Sequence, residues 1–242
     1  MKKENGTTAV REQFLYRMCM QEWWPALDAH CNILKYKKGA VVFEAGAPVK
    51  GIYFVIEGLL KVHKPWEQGK ELIIRFAGPD DILGHRGLST QSTVYPVGAT
   101  ALTPCILCFA DLSFFRKTLT VNPRLLYAFM MFFADELQLS EQRMQELVHF
   151  PVRRRVAKAI LQIQQKIGGV TAAGPAVVIS RQDLSAYIGA TYETVYKILQ
   201  EFSDQGWIRT AGKELFLTNV SALKKVAEGA DSRSQNGAQY RF

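Results

Sequence analysis

The stretch that most restricts this chain runs from Ser180 to Ser203. Ser180 followed three residues later by Asp183 is a capping-box-like helix start, with a carboxylate in the first turn where the helix dipole favours it. Leu184 and Ile188 share one face, Gly189 breaks the pattern, and the Thr191 hydroxyl is placed to cap a second helix. In that helix Val195, Ile198, Leu199 and Phe202 fall at i, i+3, i+4 and i+7, a stripe made for burial. Tyr192, Glu193, Tyr196 and Lys197 point the other way. Two short helices about a glycine turn, the second exposing polar side chains near its start, describe a helix-turn-helix and its recognition helix. The alternative is a plain helical hairpin inside a larger core.

The residues just beyond Ser203 favour the helix-turn-helix. Residues 206–210 and 214–218 alternate as two strands, and Ala211-Gly212-Lys213 makes the turn between them. Such a hairpin is the wing of a winged helix, with Lys213 at its tip able to meet a phosphate. Charge agrees with it: from Pro151 onward there are 13 basic against 7 acidic residues, while the first 150 residues hold 17 against 15. A basic C-terminal part on a near-neutral N-terminal part fits a polyanion-binding module joined to something else.

At 242 residues the chain has room for two modest domains. Residues 1–8 are polar and no apolar run reaches membrane-spanning length, so a cytoplasmic protein with reduced thiols is expected. Cys105 and Cys108 have CxxC spacing, but they lie in a stretch that reads as a strand, where residues three apart face opposite sides. With Cys19 and Cys31 they are expected to be buried and inert.

Along the chain, residues 1–28 are expected to be a loose tail and a helix over 11–24, and 29–121 a β-rich domain. Short glycine-punctuated strands at 41–43, 51–58, 59–62, 72–76 and 99–109 suggest a jelly roll or small barrel, with a hairpin turn over 66–70. A long helix is expected over 122–150, opened by Asn122-Pro123. Leu126, Met130, Phe133, Leu137, Ser140, Met144 and Leu147 alternate in steps of four and three, a coiled-coil seam, and Phe129, Phe132 and Leu139 form a second edge for the barrel. The seam is expected to join two copies, since an exposed apolar row of that length is a liability on a monomer. Residues 151–228 form the basic domain, which the Arg153-Arg154-Arg155 run opens, with a loop over 168–175. Residues 229–242 are expected to be a disordered tail. The fold class is α+β: β-sandwich or jelly roll, dimerisation helix, winged helix-turn-helix.

That order resembles the cyclic-AMP receptor and fumarate/nitrate regulator (Crp/Fnr) family. The match rests on residues 51–58, on 78–84 in outline, on 151–161, on Ser180-Arg-Gln-Asp-Leu184, and on Gly189 to Lys197. It covers about residues 29–223, and the Thr191-Tyr-Glu-Thr-Val195 run is similar to regulators of Bacteroidetes-type bacteria. The resemblance implies a homodimeric transcription regulator, cytoplasmic, with a cyclic-nucleotide-binding-like sensory domain, a palindromic DNA operator, RNA polymerase as partner and no enzymatic activity. It implies base contacts from Tyr192, Glu193, Tyr196 and Lys197, and phosphate contacts from Arg153, Ser180, Arg181, Gln182, Thr191, Thr194 and Lys213. Glutamate accepts from cytosine N4 and lysine donates to guanine, which agrees with the assignments. The chain departs from the best-known member at Tyr192 and Lys197, both arginine there, so a different operator is expected; Tyr192 has an alternative use against a thymine methyl or the backbone.

The resemblance places an effector pocket at Gly84, His85, Arg86, Tyr95 and Ser140. Nucleotide-binding members have a glutamate after the loop glycine and an arginine for the phosphate. Here His85 replaces the glutamate and no arginine stands near Tyr95-Pro96, so cyclic AMP is not expected and the effector is an unidentified small molecule. The alternatives are an effector-independent regulator, a haem or redox sensor using His63, His85 or His149, and, least favoured, a cupin-type metalloenzyme, for which no facial triad can be assembled. No metal site is expected.

Overall fold

The computed structural model describes residues 10–66, 70–167, 169–171, 174–212 and 214–230. The chain forms two compact units, the first ending at Gln142 and the second beginning at Arg143. No helix among the described residues is long and apolar enough to cross a membrane.

In the first unit two antiparallel four-stranded sheets enclose the core. One has the order β1 (Cys31–Tyr36), β8 (Cys105–Asp111), β3 (Gly51–Glu57), β6 (Ile82–Leu83); the other β2 (Val41–Phe43), β7 (Gly98–Ala101), β4 (Leu60–Pro65), β5 (Glu71–Ala77). Neighbours in sequence are seldom neighbours in a sheet, as in a jelly roll. One apolar cluster, with Tyr53, Val55, Leu60, Leu83, Tyr95 and Leu107, fills the space between the sheets. Another, with Leu15, Leu27, Ile52, Phe54, Phe115, Leu125 and Phe129, seals the outer face of β3 and β8 beneath helices α1 (Phe14–Met18), α2 (Trp24–His30), α3 (Leu112–Val121) and α4 (Pro123–His149).

Three expectations change here. The stretch 99–109 is two strands, β7 and β8, lying in different sheets. The helix expected over 11–24 breaks at Cys19 and Met20, both extended. Tertiary bonds replace the helical ones: Phe14 N donates to Asp80 Oδ1 and Met20 N to Asn122 Oδ1, each 3.0 Å. Leu139, expected against the barrel, is 60% exposed, whereas Phe129 is buried and Phe132 packs beside it.

Cys105 belongs to the cluster between the sheets and Cys108 to the outer one, so β8 separates the CxxC pair as strand geometry requires. Burial pushes the Cys105 thiol up, away from the reactive thiolate. Among the described residues no group of three or more His, Cys, Asp or Glu is placed to hold a metal ion.

The second unit carries the end of α4, then α5 (Val152–Ile167), α6 (Arg181–Ile188), α7 (Tyr192–Asp204) and α8 (Val220–Glu228). Its antiparallel sheet has the order β11 (Ile208–Ala211), β12 (Glu214–Leu217), β10 (Gly174–Val178), β9 (Gly169–Thr171). The loop expected over 168–175 therefore contains β9 and the start of β10. The β11–β12 hairpin is the expected wing, turning at Gly212 with φ +60°. Lys213, and the tail beyond residue 230, lie outside the described residues.

Candidate functional site

The helix-turn-helix is built by its caps. Ser180 Oγ accepts from Asp183 N (2.9 Å) and in turn donates to the Asp183 carboxylate, so its hydroxyl is committed to the start of α6. Thr191 Oγ1 accepts from Thr194 N (3.3 Å) and starts α7. Gly189 ends α6 with φ +68°, and a Cβ there would come within 3.1 Å of Leu147 Cδ2. Val195, Leu199 and Phe202 are buried as their spacing predicts, and Ile198 is half-buried. Tyr192, Glu193, Tyr196 and Lys197 are exposed on the opposite face. Glu193 and Lys197 engage no partner among the described residues, and Gln182 is likewise exposed and unengaged, so all three are available to a ligand.

Arg153, expected at a phosphate, is also engaged inside its own unit: its Nε lies 3.3 Å from Glu201 Oε1 and its guanidinium stacks over the Phe202 and Trp207 rings at 5.2 and 5.4 Å. Its two neighbours are used in the same way. Arg154 Nε donates to Ala227 O (2.9 Å), and Arg155 Nη1 donates to Ile188 O (2.5 Å) at the C-terminal end of α6. Arg143 donates to the adjacent Tyr187 O and lies 4.0 Å from that tyrosine's ring centre. Cations at the carbonyl end of a helix complement its dipole, so Arg143 and Arg155 hold the end of α6 and Arg154 the end of α8. Leu147 is half-buried with its Cδ2 beside Gly189, and the most exposed part of the row on α4 is Leu126, Met130, Phe133, Leu137 and Met144, between 37 and 62% accessible.

In the first unit the residues expected to hold an effector divide. Gly84 turns the chain with φ +82° where a Cβ would meet Gly51 O at 2.8 Å. Tyr95 is 1% exposed, and its hydroxyl accepts from Lys50 N and Gly51 N (3.1 Å each) and donates to Gly51 O (2.9 Å). All the hydrogen-bonding capacity of its hydroxyl is used within the chain, so the ring alone is left to face the expected effector pocket. Ser140 is exposed on α4.

His85 is 2% exposed, edge-on to Phe132 and Phe133 of α4, with Nδ1 3.1 Å from Ile82 O. Its Nε2 faces Glu136 Oε2 at 3.5 Å; Arg75 Nε (3.5 Å) and Arg86 Nη2 (3.2 Å) reach that same oxygen. Arg75 also pairs with Asp81 and donates to Ile82 O. Sequence reasoning passed over Glu136 and Arg75, because nothing local distinguishes one charged residue on a helix or strand from another. Burial would raise the Glu136 carboxyl, but the bond to His85 and the fields of Arg75 and Arg86 outweigh it and hold it at about 2. Burial, reinforced by the two arginines against the pull of Glu136, pushes His85 below its ordinary 6.5. The ring is thus neutral at pH 7, where the arginines carry the attraction to Glu136. His63, a haem candidate from the sequence, is engaged at both ring nitrogens, with Thr100 Oγ1 at 2.9 Å and Glu71 Oε2 at 3.0 Å.

A β-roll, a long helix and a capped helix-turn-helix with a wing together define a DNA-binding transcription regulator. Residues 33–122 match the cyclic nucleotide-binding domain family and residues 154–226 the Crp-like helix-turn-helix domain family. The chain is 27% identical over 195 residues to the cAMP-activated global transcriptional regulator CRP of Salmonella typhimurium, covering 80% of this chain and 91% of that one. It is 26% identical over 206 residues to a CRP-like cAMP-activated global transcriptional regulator of Mycobacterium tuberculosis, covering 84% and 91%. In fold it is similar to a CRP-family regulator from Thermus thermophilus (TM-score 0.71, 19% identity, 81% and 96% covered). A Crp/Fnr-family regulator from Eubacterium rectale is likewise similar (TM-score 0.73, 13% identity, 88% and 97% covered). The chain belongs to the Crp/Fnr family of transcription regulators.

Proposed function

We propose that two copies of this chain pair along α4 and set their α7 helices into successive major grooves of a two-fold symmetric operator, its half-sites ~34 Å apart. The observation that carries this reading is the exposed face of α7, where Glu193 and Lys197 stand unengaged on a helix capped and buried on its other side. Glu193 accepts from cytosine N4 and Lys197 donates to guanine O6 or N7; Tyr192 and Tyr196 flank them at the base edges. Arg181, Gln182, Thr191 and Thr194 face phosphates, joined by Lys213, the residue after Gly212 in sequence. The accessible Leu126, Met130, Phe133, Leu137 and Met144 support the pairing, because an apolar row that long is costly in water. The regulator works in the cytoplasm with RNA polymerase as its partner, and without catalysis of its own.

A small molecule other than cyclic AMP gates it, seated around Gly84, Arg86 and Ser140. The Tyr95 hydroxyl is already saturated, and Glu136 together with Asp81 already balances the charges of Arg75 and Arg86, which leaves neither as a free cation for a cyclic phosphate. Any anion entering must expel Glu136, and with it loosen α4, which is a route from occupancy to the paired helix. The same ion cluster favours a second reading, in which the chain's own glutamate makes the regulator independent of an effector.

Light scattering and operator binding test the first reading together: the wild type should have the mass of two chains, and Leu137→Glu that of one, with operator affinity lost. A wild-type monomer with undiminished affinity overturns it. A melting-curve screen with a metabolite panel decides between the gated and the effector-independent forms: a compound that raises Tm supports the first, a flat panel the second.

A further inference from the structure

Tyr192 and Tyr196 stand one turn apart at the start of α7, 46 and 44% exposed, in a face that has no core to fill. Their ring planes lie within 14° of parallel with centroids 6.3 Å apart, and the Arg181 guanidinium, sent from α6, sits 5.4 Å from the Tyr196 ring centre. The three side chains form a tier: cation, ring, ring. Each holds the next, so the pair is ordered before any ligand arrives and little rotamer freedom remains to be lost on binding. A pre-ordered pair of exposed rings offers a flat, polarisable, largely apolar wall. Of the four base pairs seen from the major groove, one feature alone is apolar, the C5-methyl group of thymine.

We infer that the Tyr192–Tyr196 pair is a thymine-methyl reader, braced by Arg181, whose ligand is the methyl edge of an A·T pair beside the bases read by Glu193 and Lys197. This deepens, and rests on, the DNA-binding reading above. Specificity at this position comes from apolar contact, so the tyrosine hydroxyls are not needed for it. The phosphate assigned to Arg181 is then contacted by a guanidinium already fixed in direction by Tyr196.

The test uses full-length protein and begins by selecting bound sequences from a random duplex pool. Each thymine of the selected half-site is then replaced by deoxyuridine, which deletes the methyl and leaves every hydrogen-bonding group in place. At one symmetric pair of positions the affinity should fall about fourfold per half-site, the value of one buried methyl. Tyr192→Phe should preserve that ratio, whereas Tyr192→Ala with Tyr196→Ala should abolish it; both rings are exposed, and circular dichroism checks that the double variant is folded. Selected duplexes that bind equally well with deoxyuridine throughout overturn the inference and leave DNA binding intact. An unchanged deoxyuridine penalty in the double variant overturns it too, since the methyl is then read elsewhere. A pool that yields no preferred sequence removes the underlying DNA reading as well.

Discussion

Glu136→Gln keeps the length and shape of the side chain and deletes the charge that Arg75 and Arg86 face, leaving Arg75 with Asp81 and Arg86 without a carboxylate. The magnitude comes from the carboxyl itself. Held from an ordinary 4.5 down to about 2, it is worth about 3 kcal/mol at 1.36 kcal/mol per tenfold. At neutral pH the neutral His85 withdraws its share and water screens the rim of the cluster, so about 2 kcal/mol is the expected loss. For a unit of this size that lowers Tm by roughly 4–8 °C. The sign of the pH dependence is set by the same shift. A carboxyl whose folded pKa is depressed stabilises fully above its unfolded value of 4.5 and loses that contribution as the pH falls toward 2. Urea unfolding of wild type and variant, followed by circular dichroism at pH 7, 4.5 and 3, should therefore show a gap that is widest at pH 7 and closes below 4.5. A gap under about 0.5 kcal/mol at pH 7, or one that does not narrow in acid, would mean that Glu136 is a spectator in the cluster.

His85 supplies a second pH signature. Its folded pKa is depressed, so stability should fall as the pH drops below 6.5, where the unfolded ring takes a proton that the buried one refuses; His85→Gln should flatten the curve from pH 7 to 5. Arg153→Ala should cost about 1–2 kcal/mol of stability in the second unit through lost stacking and the lost pair with Glu201, yet leave the salt slope of DNA binding unchanged. A slope reduced by about 1 would restore it as a phosphate contact. Glu193→Ala should relax base preference, raising affinity for mismatched operators relative to the selected one in titrations at several salt concentrations; equal losses on specific and random DNA would count against its role.

The helix-turn-helix could be read from residues 180–203 because its signals are local. A cap and its amide are three residues apart, the buried stripe repeats every three or four, and the turn glycine is a property of one residue. The apolar row on α4 was legible by the same periodicity, with Leu126 to Met144 exposed, whereas the half-burial of Leu147 beside Gly189, 42 positions on, was not. The arginines at 153–155 show the limit most clearly. Charge counting treats them as a surface for polyanions, but Glu201, Ala227 and Ile188 claim them, and no spacing rule reaches that far. Glu136 and Arg75 lie 61 residues apart in sequence and share an ion cluster because the roll brings β5 against α4. Short-range patterns, in which helix and strand repeat within a few residues, were enough to set the order of the elements and the outward face of α7. Which charges turn inward depends on chain segments brought together across tens of residues, and that pairing exists only once the sheets and helices have packed.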